Sequence, residues 1–342
     1  MGKKATLGYP DCMKAVVISQ YGPPSVLRVE ELEEPILGPA RVKVAVKATA
    51  LNRADLLQRI GRYPPPKGVD PRIPGLEFAG VVEEIGPEVS EVKPGDRVMG
   101  LLGGGGYAAK VTAEERMLLP IPDSLSFEEA AAVPEVFATA FDALILQLGL
   151  TMGETLLIHA VASGVGLAAL QLAKTAGCVV FGTAGSDQKL SRAAEFGLDV
   201  GINYREKDFT EVVSRETSGR GIAAILDLVG ARYWGQNLSA LARRGRLILV
   251  GLLGGAKAET DLALILGKRL TIVGTVLRAR SLEEKMALTQ SLRRHVLPLL
   301  ETGRVRPVID RVFELDLAAE AHAYMESNAN MGKIILRVDA GS

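Results

Sequence analysis

A run of small residues near the middle of the chain has the composition of a phosphate-binding turn. It reads Ala160-Val-Ala-Ser-Gly-Val-Gly166, which places Ala160, Ser163 and Gly166 three residues apart. Because Gly164 and Gly166 have no Cβ, the backbone N–H groups of this turn can approach a pyrophosphate closely. The turn indicates dinucleotide binding, although its spacing differs from the usual G-x-G-x-x-G and is a weak signal alone.

The elements on either side of this turn must position it. The apolar run Thr155–Ile158 predicts a buried strand, and residues 167–176 predict a helix that stops near Gly177. A helix that begins at such a turn offers unpaired N–H groups and the positive end of its dipole. A second apolar strand, Cys178–Thr183, follows where a nucleotide-binding unit needs one. Strand, turn, helix and strand together predict a dinucleotide site.

The residues after the second strand bear on which dinucleotide is bound. An NAD site has an acidic residue at the end of this strand, but here the chain reads Ala184-Gly-Ser186. Ser186, Lys189 and Tyr204 instead offer donors that suit a 2′-phosphate, which predicts NADPH. Asp187 would oppose a phosphate if it pointed inward, and as a first-turn acid of a helix we expect it to face solvent. The alternative for Lys189 is an ordinary exposed helix lysine.

Composition sets wider limits on fold and partners. The chain has 342 residues, enough for roughly two domains of about 150 residues each. It is 48% hydrophobic and carries 40 basic and 40 acidic residues, so disorder is excluded and neither nucleic acid nor an anionic membrane is indicated as a partner. No uncharged apolar run approaches the roughly 20 residues of a membrane span.

The chain ends and cysteines predict a cytoplasmic protein. Lys3 and Lys4 are not followed by an apolar segment, so we expect residues 1–12 to be a loose extension and not a secretory signal. Cys12 and Cys178 lie far apart and neither belongs to a C-x-x-C pair, which argues against disulfide and cysteine–zinc frameworks.

The order of predicted elements indicates two kinds of domain. Before Ser126 the chain shows short strands separated by Gly/Pro turns, with one short helix over 52–60. After it, six strands alternate with helices, which predicts a doubly wound parallel sheet in an α/β fold. These strands are Thr155–Ala160, Cys178–Thr183, Val200–Asn203, Ala223–Val229, Arg246–Gly251 and Leu270–Val276. The last part of the chain returns to strands, at 304–308, 311–315 and 333–338, with a helix over 318–326.

Seven motifs then identify a family resemblance. They are Asn52-Arg-Ala-Asp55, Tyr63-Pro-Pro-Pro66, Pro74-Gly-Leu-Glu77, Lys93-Pro-Gly-Asp96, Ala160 to Gly166, Asp227-x-x-Gly230 and Gly332-Lys333. In this order, over about residues 13–338, they resemble the zinc-free medium-chain dehydrogenase/reductases of the quinone oxidoreductase branch. The nearest subgroup is the tumour-suppressor-inducible NADPH quinone oxidoreductases.

The resemblance implies a particular arrangement of domains. It implies a Rossmann dinucleotide-binding domain over residues 135–277, inserted into a β-rich, GroES-like catalytic domain. The catalytic domain would comprise residues 13–134 and 278–342. It also implies a homodimer joined through the last strand of the parallel sheet, within 268–277. The alternative is an edge strand covered by a helix of the same chain.

The resemblance also implies roles for individual residues. Asn52 and Tyr63 would be catalytic, with Tyr63 over the nicotinamide pocket. Alternatively, Asn52 is simply the N-cap of its helix and Tyr63 a surface residue of a proline-rich loop. The residues expected to bind the cofactor are Tyr63, Thr139, Ala160, Ser163, Gly164, Val165, Gly166, Thr183, Ser186, Lys189, Tyr204, Gly251 and Lys333.

The same comparison predicts an enzyme without a metal. In the zinc-dependent relatives a Cys stands in place of Asn52 and a His in place of Leu76. A thiolate and an imidazole hold catalytic zinc, whereas an amide and an isobutyl group cannot replace them. The three histidines form no catalytic triad. We expect His159 to be a core or hinge residue, and His295 and His322 to be half-exposed helix residues.

The function implied is NADPH-dependent reduction of a small quinone by hydride transfer. Reduction of an activated alkene such as an enal or enone stays open, because it uses the same hydride donor. A low-turnover NADPH-binding protein like the crystallin-related family members is the third alternative.

Overall fold

The computed structural model describes residues 12–338, so the predicted N-terminal extension lies almost wholly outside the described residues. The described chain forms two compact units. Unit 1 comprises residues 12–134, 311–329 and 334–338, and unit 2 comprises residues 135–310 and 330–333. Within the described range, no helix has both the length and the apolar character that crossing a membrane requires.

The secondary structure follows the two-part order seen in the sequence. The strands are β1 (Cys12–Ile18), β2 (Leu27–Glu33), β3 (Arg41–Ala50), β4 (Glu77–Ile85), β5 (Arg97–Leu101), β6 (Lys110–Glu114), β7 (Leu118–Pro120), β8 (Thr155–Ile158), β9 (Val179–Ala184), β10 (Val200–Asn203), β11 (Ile222–Asp227), β12 (Leu241–Leu249), β13 (Thr271–Gly274), β14 (Ile309–Glu314) and β15 (Lys333–Arg337). The helices are α1 (Arg53–Arg59), α2 (Phe127–Ala131), α3 (Pro134–Phe141), α4 (Gly164–Thr175), α5 (Asp187–Ala194), α6 (Phe209–Glu216), α7 (Trp234–Ala240), α8 (Leu262–Lys268), α9 (Leu282–His295), α10 (Leu297–Glu301) and α11 (Ala318–Glu326).

Unit 1 is built on a mostly antiparallel sheet. Its strand order is β14-β15-β3-β4-β5-β7, with β6 also paired to β3, while β1 and β2 form a separate antiparallel pair. In β3, Val42, Val44 and Val46 are buried while the intervening residues are partly exposed. This alternation is the half-buried pattern expected from the sequence, because successive side chains of a strand point to opposite faces.

Unit 2 is built on the predicted parallel sheet. Its order is β10-β9-β8-β11-β12-β13, and all neighbouring strands run parallel. Strand order reverses between β8 and β11. The carboxyl ends of strands beside such a switch point are where open α/β sheets bind ligands. The turn at Ala160 lies at this place, directly after β8.

The chain after β13 differs from the expectation. The sequence predicts a strand over residues 304–308, but these residues form a bend followed by an irregular segment. The preceding residues form α9, which begins with a capping box of Ser281 and Glu284 that the sequence analysis missed. Residues 278–310 also pack as part of unit 2, whereas the resemblance places them in the catalytic domain. Ion pairing of Arg280 with buried Asp142, at 2.6 Å, is one contact that ties them there.

Candidate functional site

The small-residue turn of unit 2 is fixed by local hydrogen bonds. Ser163 is the N-cap of α4, and its Oγ accepts the Gly166 N–H at 3.1 Å. The Ser163 N–H in turn donates to the Ala160 carbonyl at 2.9 Å. Ala160 has a φ of 52°, a left-handed conformation that is uncommon for a residue with a Cβ. The predicted strand, turn and helix are therefore present, with α4 beginning at Gly164.

The two glycines of the turn are required by close contacts. A Cβ on Gly166 would lie 2.5 Å from the Ala160 oxygen and 2.6 Å from the Val161 oxygen. A Cβ on Gly164 would lie 2.9 Å from Lys333 Cδ. Gly164 and Val165 are the first two residues of α4, whose N–H groups have no acceptor within the helix. Such a cradle fits a pyrophosphate, because it combines bare backbone with a positive helix end.

The segment 330–333 lies against this turn. The Gly332 N–H donates to the Ala162 oxygen at 2.9 Å, and Gly332 forms an isolated parallel bridge with Ser163. Lys333 is buried, with its stem beside Gly164 and its N–H bonded to the Val308 oxygen at 2.8 Å. Lys333 is thus brought together with the turn although 167 positions separate it from Gly166.

The end of β9 gathers the donors that the sequence assigned to a 2′-phosphate. Ser186 is the N-cap of α5 and accepts the Lys189 N–H at 3.4 Å. A Cβ on Gly185 would meet Tyr204 Oη at 2.6 Å and Arg205 Nε at 3.5 Å, so both side chains lie over this glycine. Arg205 is a candidate that the sequence analysis missed. Its only signal was its position directly after Tyr204 at the end of β10.

Two side chains of α5, the helix after β9, bear on the alternatives raised from sequence. Asp187 is exposed, as expected for a first-turn acid. Lys189 is partly buried, and its Nζ donates to the Asn330 oxygen at 2.9 Å, so it is not an ordinary exposed lysine. Burial lowers the pKa of Lys189; the Asp310 carboxylate opposes this shift and the Arg205 guanidinium adds to it.

The remaining candidates of unit 2 lie at different depths. Thr139 is half-buried on α3, and Gly251 follows β12 with its N–H 3.3 Å from the Asp227 oxygen. Thr183 is fully buried, with Oγ1 3.3 Å from the Ala160 nitrogen and 3.1 Å from His159 Nδ1. Thr183 therefore supports the turn from within the protein.

The candidates of unit 1 are organised by buried carboxylates. Asn52 is the N-cap of α1, its Nδ2 donates to Glu77 Oε1 at 2.7 Å, and its backbone N–H donates to Asp55 Oδ2 at 2.7 Å. Asp55 Oδ1 accepts the Gly75 N–H at 2.9 Å. Both carboxylates are fully buried. Asn52 is thus held at its backbone and at its amide, while Tyr63 is half-buried in its loop.

His322 is fully buried, so the expectation of a half-exposed residue was wrong. Its Nδ1 lies 3.2 Å from Arg59 Nη1 and its Nε2 lies 3.1 Å from Tyr107 Oη. Because a guanidinium can only donate, Nδ1 accepts and Nε2 carries the proton. Burial, and secondarily the Arg59 charge, lower the pKa of His322 to about 3. Tyr107 Oη in turn lies 3.4 Å from Asp55 Oδ2, which links His322 to the surroundings of Asn52.

The resemblance places Asn52 and Leu76 at the positions of two zinc ligands, and neither side chain is a thiolate or an imidazole. Asn52 and the buried Leu76 stand there, beside Glu77. In the part of the chain that the structure describes, no cluster of three or more His, Cys, Asp or Glu side chains could hold a metal ion.

Two family models match the chain. The description "Alcohol dehydrogenase GroES-like domain" applies to residues 38–123, and "Zinc-binding dehydrogenase" applies to residues 164–291. Quinone oxidoreductase-like protein 2 of Bos taurus is 33% identical over 311 residues, covering 91% of this chain and 88% of its own length. Quinone oxidoreductase of Sus scrofa is 32% identical over 327 residues, covering 95% and 97%.

Solved structures share the fold along nearly the whole chain. An NAD-dependent alcohol dehydrogenase has a TM-score of 0.86 at 34% identity, covering 96% of this chain and 100% of its own. The Escherichia coli quinone oxidoreductase complexed with NADPH has a TM-score of 0.83 at 28% identity, covering 95% and 99%. The CurK enoyl reductase has a TM-score of 0.85 at 26% identity, covering 96% and 100%.

Proposed function

Because the chain belongs to the medium-chain dehydrogenase/reductase family of oxidoreductases, we propose that it reduces quinones with NADPH and without a metal. The observation that carries the proposal is the hydrogen bond of Asn52 Nδ2 to buried Glu77. It holds an oriented amide where zinc-dependent relatives have a metal ligand. Similarity to quinone oxidoreductases of comparable length supports the same substrate class.

The residues of unit 2 fit a nicotinamide dinucleotide that carries a 2′-phosphate. We assign the pyrophosphate to the turn from Ala160 to Gly166, with Lys333 beside it. We assign the 2′-phosphate to the donors at the end of β9, because hydroxyl, ammonium and guanidinium groups meet there. These donors are Ser186, Lys189, Tyr204 and Arg205. Thr139 and Gly251 complete the proposed cofactor set, to which the buried Thr183 contributes by supporting the turn. In this proposal unit 2 is the Rossmann domain and unit 1 the GroES-like catalytic domain.

The chemistry of Asn52 and Tyr63 favours a quinone as the substrate class. When bound, the cofactor supplies a hydride. Reduction of a simple carbonyl needs stabilisation of the alkoxide that forms, which zinc gives in metal-dependent relatives. A quinone spreads the added charge over its own ring, so the protein need only position it and offer modest hydrogen bonds. Asn52 and Tyr63 are suited to that role.

A comparison of acceptors tests the proposed reaction. The purified protein is supplied with NADPH and, in parallel, with ortho- and para-quinones, enals and enones; alcohol oxidation is followed with NADP⁺. We expect quinones to give the highest kcat/KM and simple alcohols to give little oxidation. Robust alcohol oxidation without quinone reduction would contradict the proposal. NADPH binding with no turnover of any acceptor would favour the low-turnover alternative.

Reduction of activated alkenes is the second candidate function. It is favoured by the similarity to the CurK enoyl reductase, which extends over 96% of the chain. Such a reaction places the developing charge on an enolate, which again needs only modest hydrogen bonding. A kcat/KM for an enal or enone above that of every quinone tested would favour this function.

The edge of the parallel sheet supports the proposed homodimer. Strand β13 is the outermost strand of the sheet, and Leu262 and Leu266 on the neighbouring α8 are 72% and 81% exposed. An apolar helix face beside an open edge favours pairing of two copies. Light scattering at micromolar concentration tests this, and a monomer would contradict it. We further propose a cytoplasmic location.

A further inference from the structure

A continuous chain of buried hydrogen bonds crosses the carboxyl ends of three adjacent strands in unit 2. It joins Ala160 after β8, Thr183 in β9 and Asp227 in β11, and passes through His159 and Asn237. All but Ala160 are fully buried polar side chains. These hydrogen bonds cross the switch point of the sheet, where the proposed cofactor site lies.

The direction of every bond in this chain follows from its chemistry. Asn237 Nδ2 donates to Asp227 Oδ2 at 3.0 Å, so Asn237 Oδ1 is the atom that faces His159 Nε2 at 2.7 Å. A carbonyl oxygen can only accept, so Nε2 carries the proton of His159. Burial lowers the pKa of His159, which favours the neutral ring and leaves Nδ1 free of a proton.

The neutral ring then determines the other half of the chain. The Thr183 hydroxyl donates to His159 Nδ1 at 3.1 Å, and its oxygen accepts the Ala160 N–H at 3.3 Å. At the far end, Asp227 Oδ1 accepts the N–H groups of Val229 at 2.7 Å and Gly230 at 3.0 Å. Every donor therefore points toward the buried Asp227 carboxylate, and no bond can be reversed without breaking another.

The position of Ala160 gives this chain a consequence for binding. Its left-handed conformation, at a φ of 52°, is unfavourable for alanine and persists only where the surroundings hold it. The Ala160 oxygen also lies only 2.5 Å from where a Cβ on Gly166 would be placed, so Ala160 shapes the cradle. The imidazole itself is packed against Phe209 and Tyr233, at ring-centroid distances of 4.9 and 4.8 Å.

We propose that His159 is a positioning residue for the pyrophosphate-binding turn, acting through Thr183 on the backbone of Ala160. The inference rests on the proposed binding of NADPH, and it adds a residue that does not itself line the cradle. The sequence analysis expected His159 to be a core or hinge histidine. Its burial fits that expectation, but its hydrogen bonds give it a specific task.

The test compares two substitutions at His159. His159→Phe keeps a ring against Phe209 and Tyr233 but removes both hydrogen bonds. His159→Gln offers an amide oxygen to Thr183 and an N–H to Asn237, so it can restore them. His295→Phe is the matched control, because it makes the same change at an exposed histidine of unit 2. Circular dichroism confirms that each variant is folded.

Two ligands separate displacement of the turn from general damage. Dissociation constants are measured for NADPH by its fluorescence and for 2′-AMP, which lacks the pyrophosphate, by calorimetry. We expect His159→Phe to weaken NADPH roughly ten-fold, the change that follows loss of about one buried hydrogen bond, and to leave 2′-AMP binding unchanged. His159→Gln should recover most of the loss, and His295→Phe should show none.

Amide hydrogen exchange at Ala160 tests the same chain without a ligand. Exchange should be slow in the unmodified protein and His159→Gln, and faster in His159→Phe. If His159→Phe fails to fold, Thr183→Val replaces the hydroxyl with a methyl group and should give the same changes in affinity and exchange. Thr183→Ser keeps the hydroxyl and should behave like the unmodified protein.

The outcomes that contradict the proposal are distinct from those that contradict the function. Unchanged NADPH affinity, equal weakening of both ligands, or unaltered exchange at Ala160 would overturn the positioning role. Failure of the unmodified protein to bind NADPH would overturn the proposed function, and the exchange experiment would still decide whether the chain holds Ala160.

Discussion

Each unit contains a fully buried histidine at the centre of a series of side-chain hydrogen bonds, and the two hydrogen-bond series end in different groups. In unit 1, His322 lies between Arg59 and Tyr107, and the chain runs on to the Asp55 carboxylate beside Asn52. In unit 2, His159 lies between a hydroxyl and an amide, and the chain contains no cation. Both rings are neutral, but only the chain in unit 1 has opposite charges at its two sides.

This difference predicts where each chain has its effect. Loss of a partner in unit 1 leaves several buried donors or a buried charge without a partner, which lowers the free energy of unfolding. Loss of His159 or Thr183 in unit 2 removes neutral hydrogen bonds around a turn, so its main effect should be on the ligand that the turn binds. We therefore expect the buried histidine to act mainly on folding in unit 1 and mainly on ligand binding in unit 2.

Removal of the Asp55 carboxylate should have the largest effect on stability. Asp55→Ala leaves the N–H groups of Asn52 and Gly75 and the Tyr107 hydroxyl without their acceptor. We expect the free energy of unfolding to fall by about 3–5 kcal/mol, as for several unpaired buried groups. Urea unfolding followed by circular dichroism measures it. As a control, Asp316→Ala removes an exposed ion pair with Lys14 and should cost less than about 1 kcal/mol. Equal losses of stability in the two variants would contradict the special importance of the buried Asp55 carboxylate.

Acid should destabilise the protein through His322. Its pKa of about 3 in the folded chain lies below the ordinary 6.5, so the unfolded chain binds a proton that the folded chain does not. The contribution of His322 to the free energy of unfolding is therefore fully present above pH 6.5. It is lost as the pH falls toward 3, with a slope approaching about 1.4 kcal/mol per pH unit. The lowered pKa of His159 acts in the same direction. Unfolding measured from pH 7 to 4 should show a shallower slope in His322→Gln; an identical slope would show that His322 is not the titrating group.

The charged donors at the end of β9 should determine cofactor preference. Lys189→Ala or Arg205→Ala should lower kcat/KM for NADPH by roughly 10- to 100-fold, as expected for one charge-assisted hydrogen bond, and alter NADH little. Steady-state rates with both cofactors measure this. Lys207→Ala, an exposed lysine two residues beyond Arg205, is the control and should change neither. Equal losses with both cofactors would show that the 2′-phosphate is bound elsewhere.

Substitution of the proposed catalytic residues should slow turnover without abolishing it. Asn52→Ala and Tyr63→Ala should each reduce kcat by less than the roughly 10²–10⁴-fold typical of a lost general acid, because neither needs to transfer a proton. Stopped-flow measurement of NADPH oxidation separates this step from product release. Abolished turnover in a folded variant would show that the residue does more than position the quinone.

Sequence alone gave the parts of the site that depend on neighbours in the chain. The strand, turn and helix around Gly164 follow from apolar periodicity and from small residues, and both are local signals. The surroundings of His322 could not be found this way, because Arg59 lies 263 positions away and Tyr107 215. Arg205 was missed since a single arginine after a strand is common. A helix at His295 was expected, but the start of α9 was not predicted, although the Ser281–Glu284 pair is a local capping signal.

Turnover after removal of metal tests the central claim most directly. The protein is dialysed extensively against a chelator, its zinc content is measured by mass spectrometry, and NADPH oxidation is then followed with a para-quinone. We predict far less than one zinc per chain and an unchanged kcat, because Asn52 and Leu76 replace the metal ligands. Stoichiometric zinc that is lost together with activity, and restores activity when added back, would contradict the account.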